Sequence, residues 1–512
     1  MGHLFVAHGD LTKLACDAVL IPCDDKGWVT PSWRSLLPPE LPRDNRTGWL
    51  LLPNKPDADG IVRLPPLDKR SVQAFASMEW VATDPADVAE RLLRAVSSVS
   101  GDLPALDGRA VPLVGIPLAG TGHGGLAHRR GEVIDKLLEK HRVQGSSLKC
   151  DVALILYERR DFVAVQARRR PEDWPWNVLR EELRDKADHL GRLARTGQLS
   201  LFLGSGVSRP VGLPDWNGLL EYLAKATNID LPSNVTPETA ASIIKSTLPA
   251  ATYHQELKNA LDCHRHGIGH ALLASLPVTQ MVTTNFDPCM ELALEGALGP
   301  DEFRVLIRQV ADSSKPWLLK LNGDIGDPAS VVLTTEDFQL HEEENRALHG
   351  LVQGLLLTSH LLFVGFSFTD ESVLRLAEFV TRVLRAARSA SPNSYSNTAI
   401  ALTPDDLRKI SYDDLEILQM SDSATDVREA ARLLEIFLDR LCWKAISEND
   451  RAAEYLLDDR YLSSLSAEDQ QLRDGLLRLV DETSSNVKSN STGWKRIEAV
   501  LRDLGWRPST SQ

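Results

Sequence analysis

The sequence lacks the features that mark several large classes of protein. Its six cysteines form no Cys-x-x-Cys pair, so neither a zinc ribbon nor a disulfide framework is predicted. The first residues, MGHLFVAHGD, contain no basic stretch followed by an apolar core, so we expect no secretory signal. The most apolar long window, residues 351–368, is interrupted by four polar side chains, which excludes a membrane span. We therefore expect a cytoplasmic protein with no membrane contact.

Positive charge is also scarce. The chain of 512 residues has 57 Lys and Arg against 71 Asp and Glu, a net charge of −14. This balance argues against direct nucleic-acid binding. A hydrophobic content of 43% and a charged content of 25% are typical of a globular protein, and the length predicts more than one domain.

One stretch in the middle of the chain has the form of a ligand-binding turn. Residues 199–203 are an apolar run typical of a buried parallel strand, and they end at Gly204-Ser205-Gly206, where two residues without Cβ permit close approach of a ligand. We expect the following residues to open a helix, whose N-terminus suits a pyrophosphate. Because Arg209 replaces the third glycine of the dinucleotide fingerprint, a tight turn without a ligand remains the alternative.

Three later stretches share this form, an apolar run that ends in small polar residues. They read MVTTNFD at 281–287, WLLKLNGD at 317–324 and LLFVGFSFTD at 361–370. Strand ends of this kind line the crevice of an open α/β sheet. In this order, after GSGVS and GLPDW, the motifs resemble the sirtuin family, and more closely its bacterial defence branch than its deacetylases. The resemblance implies an α/β fold, a Rossmann-like doubly wound parallel sheet over residues 199–445, with NAD+ as substrate.

Two departures separate the sequence from the deacetylases. Those enzymes carry a four-cysteine zinc module after the catalytic motif, but no cysteine lies between Cys289 and Cys442 here. Asn217 stands where deacetylases have Arg, and Trp216 replaces a Phe. The cluster at 263–270 contains cysteine and histidine but lacks a second pair of ligands at a fitting spacing. We therefore predict neither zinc nor another metal.

The resemblance assigns roles to residues in each motif. Cleavage of nicotinamide from NAD+ passes through a ribosyl cation, so the protein must anchor the pyrophosphate and place a nucleophile beside the anomeric carbon. Trp216 is expected to cover the nicotinamide, or else to pack at a helix start. The expected NAD-binding residues are Gly204, Ser205, Gly206, Ser208, Asp215, Trp216, Thr284, Gly365 and Ser367.

The catalytic candidates are Asn285, Asp287 and Asn322. By resemblance Asn285 orients water or nicotinamide and Asp287 supports the ribose, although Asn and Asp after a strand are also good turn and cap formers. Asn322 replaces the histidine of the sirtuin KLHGD motif, and an amide is not a general base. Such a base contributes about 10²–10⁴-fold. A slow glycohydrolase, a binding pseudoenzyme and an engineered replacement all fit.

Residues 1–170 form a separate α/β pattern. A strand–turn–strand start and a late strand followed by the glycine-rich loop at 120–125 resemble a macro domain, the ADP-ribose-binding fold. The resemblance implies that Asp10 contacts adenine and that Gly120, Gly122 and Gly124 grip phosphates. Residues 21–24 read IPCD in place of an Asn-rich segment, so we expect binding rather than hydrolysis. A structural macro-like fold whose glycines serve only turns is the alternative.

The remaining segments connect and extend these two units. Residues 171–198 read as a linker, in which Trp174 and Trp176 pack on a neighbouring surface, followed by a helix with apolar spacing over 177–195. Residues 446–512 read as amphipathic helices whose acidic faces are solvated or pack against another subunit.

The resemblances together imply an NAD+ glycohydrolase effector of bacterial anti-phage defence. We expect activation by a nucleotide signal or a partner, and a homo-oligomer or a complex with a defence-system protein. One alternative is a regulatory subunit that binds NAD or ADP-ribose and controls a partner nuclease, helicase or ATPase. A third possibility is an ADP-ribosyltransferase or macro-type hydrolase that acts on modified macromolecules.

Overall fold

The computed structural model describes residues 2–64, 73–77, 83–101, 103–105, 108–170, 175–232, 235–306, 308–344, 346–366, 397–404, 415–448 and 453–507. Two large sheets organise them, one in the first third of the chain and one in the middle. Helices cover both, so the fold is of the α/β class.

The first sheet has six strands in the order β1-β8-β7-β2-β6-β5. All neighbours are parallel except β5 and β6, which are antiparallel. Every residue of β1 and β8 is buried, as expected for strands covered by helices on both faces. The strands are β1 (Leu4–His8), β2 (Ala18–Pro22), β5 (Ile61–Arg63), β6 (Gln73–Ser77), β7 (Leu113–Ile116) and β8 (Asp151–Leu156), and a small hairpin pairs β3 (Trp28–Val29) with β4 (Leu50–Leu51).

The second sheet has seven strands in the order β11-β12-β10-β9-β13-β14-β15, and each pair of neighbours is parallel. The chain enters at the central strand β9 and forms β10, β11 and β12 on one side, with β11 at the edge and β12 between β11 and β10. It then forms β13, β14 and β15 on the other side. This reversal is the topological switch point of a doubly wound sheet. The strands are β9 (Leu199–Leu203), β10 (Gln280–Thr283), β11 (Arg304–Leu306), β12 (Trp317–Lys320), β13 (His360–Val364), β14 (Asn397–Ala401) and β15 (Leu415–Gln419).

Helices fill the connections and form the end of the chain. In the first unit they are α1 (Pro85–Ser100), α2 (Arg130–Gln144) and α3 (Arg159–Arg168). Around the second sheet they are α4 (Glu181–Arg195), α5 (Trp216–Thr227), α6 (Pro237–Thr247), α7 (Ala250–Leu261), α8 (Ile268–Ala274), α9 (Cys289–Leu298), α10 (Thr335–Glu344), α11 (Arg346–Thr358) and α12 (Val427–Ser447). The C-terminal ones are α13 (Ala467–Glu482), α14 (Ser485–Asn490) and α15 (Thr492–Asp503). None of the helices in the described ranges combines the length and apolar character needed to cross a bilayer.

Helix α12 packs against both units. Its Asp439 is fully buried and accepts hydrogen bonds from His3 Nε2 at 2.9 Å, from Trp176 Nε1 at 2.9 Å and from the guanidinium of Arg169. The indole of Trp176 thereby fixes the linker to α12, as the sequence predicted. Trp174 lies outside the described residues. One buried carboxylate therefore joins the start of the chain, the linker and α12.

The C-terminal segment packs on the first unit of the same chain. A 3₁₀ helix at Asp459–Ser464 places Tyr461 in the core, where its hydroxyl donates to Asp161 at 2.6 Å. The hydroxyl of Ser464 donates to Asp135 at 2.7 Å, and a Cβ at Gly131 would lie 2.3 Å from that hydroxyl oxygen. Residues 459–464 are thus fixed to the first unit of the same chain.

The segment after the first glycine turn differs from its prediction. The helix predicted directly after Gly206 is wrong: two 3₁₀ turns, Ser205–Val207 and Arg209–Val211, follow instead, and α5 begins only at Trp216. Pro210 provides no backbone N–H, and Gly212 at φ +82° ends the second turn, so an α-helix cannot continue through this segment.

Candidate active site

The four polar motifs follow four strands that are neighbours in the second sheet. Strands β12, β10, β9 and β13 lie side by side, with Thr283 in register with both Lys320 and Leu203, and Leu203 in register with Val364. The residues two positions further on, Ser205, Asn285, Asn322 and Phe366, therefore leave the same edge at the same level. This edge at the switch point is where an open α/β sheet binds its ligand.

The glycines of the first motif permit contact between two strand ends. A Cβ at Gly204 would lie 2.5 Å from the carbonyl oxygen of Gly365, and one at Gly206 would lie 2.8 Å from the Gly365 Cα. Gly365 has φ +67°, a conformation that favours glycine. The N–H groups of Gly206, Val207 and Ser208 all donate within the protein. These three amides are therefore not free to donate to a phosphate.

Asn285 is the best-defined polar side chain at this edge. Its Nδ2 donates to the carbonyl oxygen of Gly204 at 3.1 Å and to Ser208 Oγ at 3.2 Å, and its backbone N–H donates to Thr283 Oγ1 at 3.0 Å. The side chain is 9% exposed, and its Oδ1 is buried with no hydrogen-bond partner among the described residues. A buried acceptor without a donor is costly, so this oxygen marks a place for a ligand or water.

Lys320 holds the loop that carries Asn285 and Asp287. Its side chain is fully buried, and its Nζ donates to the carbonyl oxygens of Phe286 at 3.0 Å and Asp287 at 2.7 Å and to Glu291 Oε1 at 2.8 Å. Burial raises the pKa of Glu291, and the charge of Lys320 opposes that rise. The sequence alone indicates no role for Lys320. The available signal was a lysine at the end of the apolar strand WLLK.

Asn322 lies in a tight turn after β12. It is 3% exposed, and its carbonyl oxygen accepts from the N–H of Val332 at 2.9 Å. Gly323 has φ +101°, and a Cβ there would lie 2.1 Å from the carbonyl oxygen of Ser330. The backbone of this turn is therefore fixed against the segment 330–332.

The remaining predicted residues of this site lie at its margin. Asp215 caps α5, accepting from the N–H of Gly218 at 2.9 Å, and pairs with Arg209 at 2.6 Å. Trp216 is half-buried and stacks on Phe338 with ring centroids 5.9 Å apart. The N–H of Thr284 donates to the carbonyl oxygen of Leu203 at 3.2 Å. Ser367 lies outside the described residues.

Three side chains of types that can bind a metal lie close together beside the Asn285 loop. Ligand atoms of His270, Asp287 and Cys289 lie within 4.8 Å of one another, and the sulfurs of Cys263 and Cys289, both free thiols, are 3.2 Å apart. Two thiolates on tetrahedral zinc, with Zn–S bonds of about 2.3 Å, would be about 3.8 Å apart. Both ring nitrogens of His270 already have hydrogen-bond partners. As arranged, these residues do not fit zinc.

A second site lies at the carboxyl edge of the first sheet. A cavity of about 630 Å³ brings together Asp10 and the loop that contains Gly120, Gly122 and Gly124. Asp10 Oδ1 accepts from the backbone N–H and the hydroxyl of Thr12 at 2.9 and 2.7 Å. Arg130 lines the wall but is ion-paired with Asp161 and Glu158, so its charge is already compensated within the protein.

Backbone hydrogen bonds connect the segments beside the two candidate sites. The N–H of His266 donates to the carbonyl oxygen of Lys13 at 2.9 Å, and the N–H of Ala15 donates to the carbonyl oxygen of His266 at 2.8 Å. Lys13 also pairs with Glu295 on α9 at 2.8 Å. The segment that follows Asp10 is therefore bonded to the segment that precedes His270.

A doubly wound parallel sheet with polar side chains at its switch point has the arrangement of a ligand-binding α/β domain. Residues 279–418 match the family model described as SIR2-like domain, so the middle of the chain contains a SIR2-like domain. Its curated relatives include "NAD(+) hydrolase ThsA" of Enterococcus faecium, 29% identical over 37% of this chain and 41% of the relative. The proteins of the same name from Bacillus cereus (strain MSX-D12) and Cytobacillus dafuensis are 27% and 24% identical, over 34% and 50% of this chain and 38% and 56% of the relative.

The chain thus spans from about two fifths to just over half of the length of these relatives. Among solved structures, a Trypanosoma brucei macrodomain in complex with ADP is similar at 13% identity, covering 32% of this chain and 67% of that one, with a TM-score of 0.20. A TM-score of that size supports no conclusion on fold or ligand.

Proposed function

We propose that this protein is an NAD+ glycohydrolase that releases nicotinamide and ADP-ribose. The observation that carries the proposal is the buried, unpartnered Oδ1 of Asn285 at the switch point of the SIR2-like sheet. An acceptor fixed there is suited to orient a water or the nicotinamide amide beside the ribosyl carbon. The relatives named NAD(+) hydrolase support the same substrate.

The chain's own residues divide the work as follows. Asn285 orients the reacting group, Asp287 supports the ribosyl cation electrostatically, and Lys320 holds the loop that carries both. Asn322 hydrogen-bonds a ribose hydroxyl but takes no proton from it, because an amide has no basic site near neutral pH. Turnover is therefore slow without a trigger.

The biological setting we propose is bacterial anti-phage defence. The macro-like unit, residues 1–170, binds an ADP-ribose-type nucleotide in the cavity beside Asp10 and controls the SIR2-like unit, residues 199–445. The proposed domain organisation also includes a linker and helix at 171–198 and a helical region at 446–512. Assembly into a homo-oligomer or with a defence-system partner is part of the same proposal.

The test is NAD+ consumption by the purified full chain, alone and with ADP-ribose or cyclic variants as triggers. Nicotinamide release is expected from the natural chain and its loss from Asn285→Ala. Asn259→Ala, which changes an exposed asparagine on α7, is the matched control and is expected to retain activity. Turnover by Asn285→Ala equal to that of the natural chain would contradict the proposal.

A non-catalytic binding subunit is the second candidate, and Asn322 favours it. Without a general base the domain retains the means to bind NAD+ but loses about 10²–10⁴-fold in rate. Calorimetry separates the two functions. NAD+ binding without nicotinamide release under any trigger supports a subunit that controls a partner nuclease, helicase or ATPase.

A further inference from the structure

A buried histidine stands behind the NH2 group of Asn285. His270, on α8, is 1% exposed, and its Nε2 lies 3.4 Å from Ser208 Oγ. Ser208 is also 1% exposed and accepts from Asn285 Nδ2 at 3.2 Å. Three side chains from separate segments therefore form one chain of hydrogen bonds that ends at the candidate catalytic amide.

The orientation of the Asn285 amide follows from its partners. A backbone carbonyl oxygen only accepts, so the atom 3.1 Å from the Gly204 oxygen is the NH2 nitrogen. The same nitrogen reaches Ser208, and Oδ1 is left on the other side. Whatever fixes the Ser208 hydroxyl therefore also fixes the direction of the free oxygen of Asn285.

The tautomer of His270 is fixed in the same way. The backbone N–H of Gly267 donates to His270 Nδ1 at 3.3 Å, so the proton of the neutral ring is on Nε2. Burial lowers the pKa of His270 to about 4, although the nearby Asp287 carboxylate opposes this, so the ring is neutral at pH 7. Nε2–H then donates to Ser208 Oγ.

This direction of donation excludes a more familiar role. A histidine that activates a serine must accept the hydroxyl proton at Nε2, as a general base does. Here Nε2 is itself protonated, and Nδ1 is occupied by Gly267. His270 therefore does not replace the base that Asn322 lacks.

We propose that His270 is a positioning residue that holds the Asn285 amide through Ser208. The catalytic consequence rests on the proposed glycohydrolase function, whereas the coupling between His270 and Asn285 does not. Loss of the Nε2–H donor lets Ser208 rotate, and the amide of Asn285 then loses its fixed orientation. Misplacement of a catalytic group by about 1 Å costs up to about 10²-fold in rate.

The experiment compares two replacements of His270 in the full chain. In His270→Asn the shorter amide still accepts from Gly267 but does not reach Ser208, whereas in His270→Gln the amide nitrogen reaches the position of Nε2. We expect kcat for nicotinamide release to fall about tenfold to a hundredfold in His270→Asn, with KM changed less than about threefold, and to recover in His270→Gln. Equal kcat in both variants would overturn the proposal.

His266→Asn is the matched control. His266 is equally buried and four residues away, but its ring contacts the carbonyl oxygen of Gly267 rather than Ser208. Replacement of either buried histidine is expected to lower the unfolding midpoint. Only His270→Asn is expected to lower kcat as well. If His266→Asn lowers kcat as much at the same loss of stability, the effect is structural and the proposal is wrong.

A cycle of unfolding free energies tests the coupling without any turnover. His270→Asn, Asn285→Ala and the double variant are expected to be non-additive, and the corresponding cycle with His266→Asn is expected to be additive. If the natural chain neither binds nor cleaves NAD+ but the His270 cycle is non-additive, the proposed function fails and the positioning role stands. An additive His270 cycle overturns the positioning role whatever the activity.

Discussion

The Nζ of Lys320 lies 2.7 Å from the carbonyl oxygen of Asp287, across the gap between two neighbouring strand ends. The same ammonium donates to the carbonyl oxygen of Phe286 and to Glu291. A buried ammonium is stable only when its three donors are satisfied, and here they are. The KLNGD motif thus contributes Asn322 and also stabilises the TTNFD loop through Lys320.

Lys320→Met is expected to lower turnover more than binding. The substitution keeps the apolar stem but removes one donor from the carbonyl oxygens of Phe286 and Asp287 and from Glu291. Phe286 still accepts from the N–H of Ile325 and Glu291 from Arg308, so the main loss is at Asp287, where an unsatisfied buried group costs about 1–3 kcal/mol. The Asn285–Asp287 loop then loses its fixed position. We expect kcat for nicotinamide release to fall at least tenfold, in line with the cost of misplacing a catalytic group.

Lys315→Met is the control for Lys320→Met, because it removes the same charge from a partly exposed position in the same connection. Stability by denaturant titration and nicotinamide release are measured on both. Retention of full activity by Lys320→Met would show that the loop does not depend on this ammonium.

Asn322→His is expected to raise the rate of NAD+ cleavage. The imidazole provides the missing base, which is worth up to about 10²–10⁴-fold. A histidine has an ordinary pKa of about 6.5, and burial at this position lowers it. The activity gained is therefore present above that pKa and lost as the pH falls below it. The rate of the natural chain is not expected to show this decrease at low pH.

The comparison variant for Asn322→His is Asn322→Ala, which removes the hydrogen bond to a ribose hydroxyl without adding a base. We expect it to be slower than the natural chain. A pH–rate profile of all three proteins decides the matter. Equal rates for Asn322→His and Asn322→Ala would mean that position 322 does not face the ribose.

Zinc is expected to be absent from the purified protein despite the group at His270, Asp287 and Cys289. The sulfurs of Cys263 and Cys289 are too close for two zinc thiolates, and the ring of His270 has no free nitrogen. Elemental analysis should find far less than one zinc per chain, and a chelator should leave the unfolding midpoint unchanged. Stoichiometric zinc that is lost in Cys289→Ser would contradict this.

Arg169→Met is expected to be strongly destabilising. Although burial alone would raise the pKa of Asp439, the charge of Arg169 and the hydrogen bond from His3 lower it to about 2. Because the folded pKa lies below the ordinary value of about 3.9, the contribution to stability is present above about pH 4 and is lost as the pH falls toward 2. Removing the arginine leaves a buried carboxylate without its ion pair and costs about 3–5 kcal/mol.

Arg180→Met provides the contrast to Arg169→Met, because its pair with Asp422 is exposed and is worth about 0–1 kcal/mol. Urea unfolding at pH 7 and between pH 4 and 2 measures both effects. Equal losses of stability in the two variants would show that the buried pair does not join the units.

The sequence predicted the polar strand ends but not the buried side-chain contacts that hold them in place. Apolar runs followed by small polar residues are local signals, and they located β9, β10, β12 and β13. The roles of Lys320 and His270 depend on contacts between segments 30 to 60 residues apart, for which a single sequence has no local signal. The helix expected after Gly206 does not form, because Pro210 and Gly212 favour a short turn over a continuous helix. The packing of Tyr461 on Asp161 is equally non-local.

Occupation of the Asp10 cavity is expected to change NAD+ turnover. The segment after Asp10 is hydrogen-bonded to His266, which immediately precedes the Gly267 that fixes His270. Because α12 and the C-terminal segment cover the first unit, the titration uses the full chain. ADP-ribose is expected to bind with a measurable heat. Asp10→Ala is expected to weaken binding more than tenfold, because it removes the acceptor that is expected to contact adenine.

The control for Asp10→Ala is Asp10→Asn, which keeps the cap on Thr12 and removes only the charge. If the cap alone mattered, Asp10→Asn would bind ADP-ribose like the natural chain. Nicotinamide release is then measured with and without ADP-ribose in each protein. Coupling between the sites requires that ADP-ribose alters the rate in the natural chain and not in Asp10→Ala, since an effector shifts a second site only by its own differential binding. An equal response in both proteins would place the effector at the SIR2-like site itself.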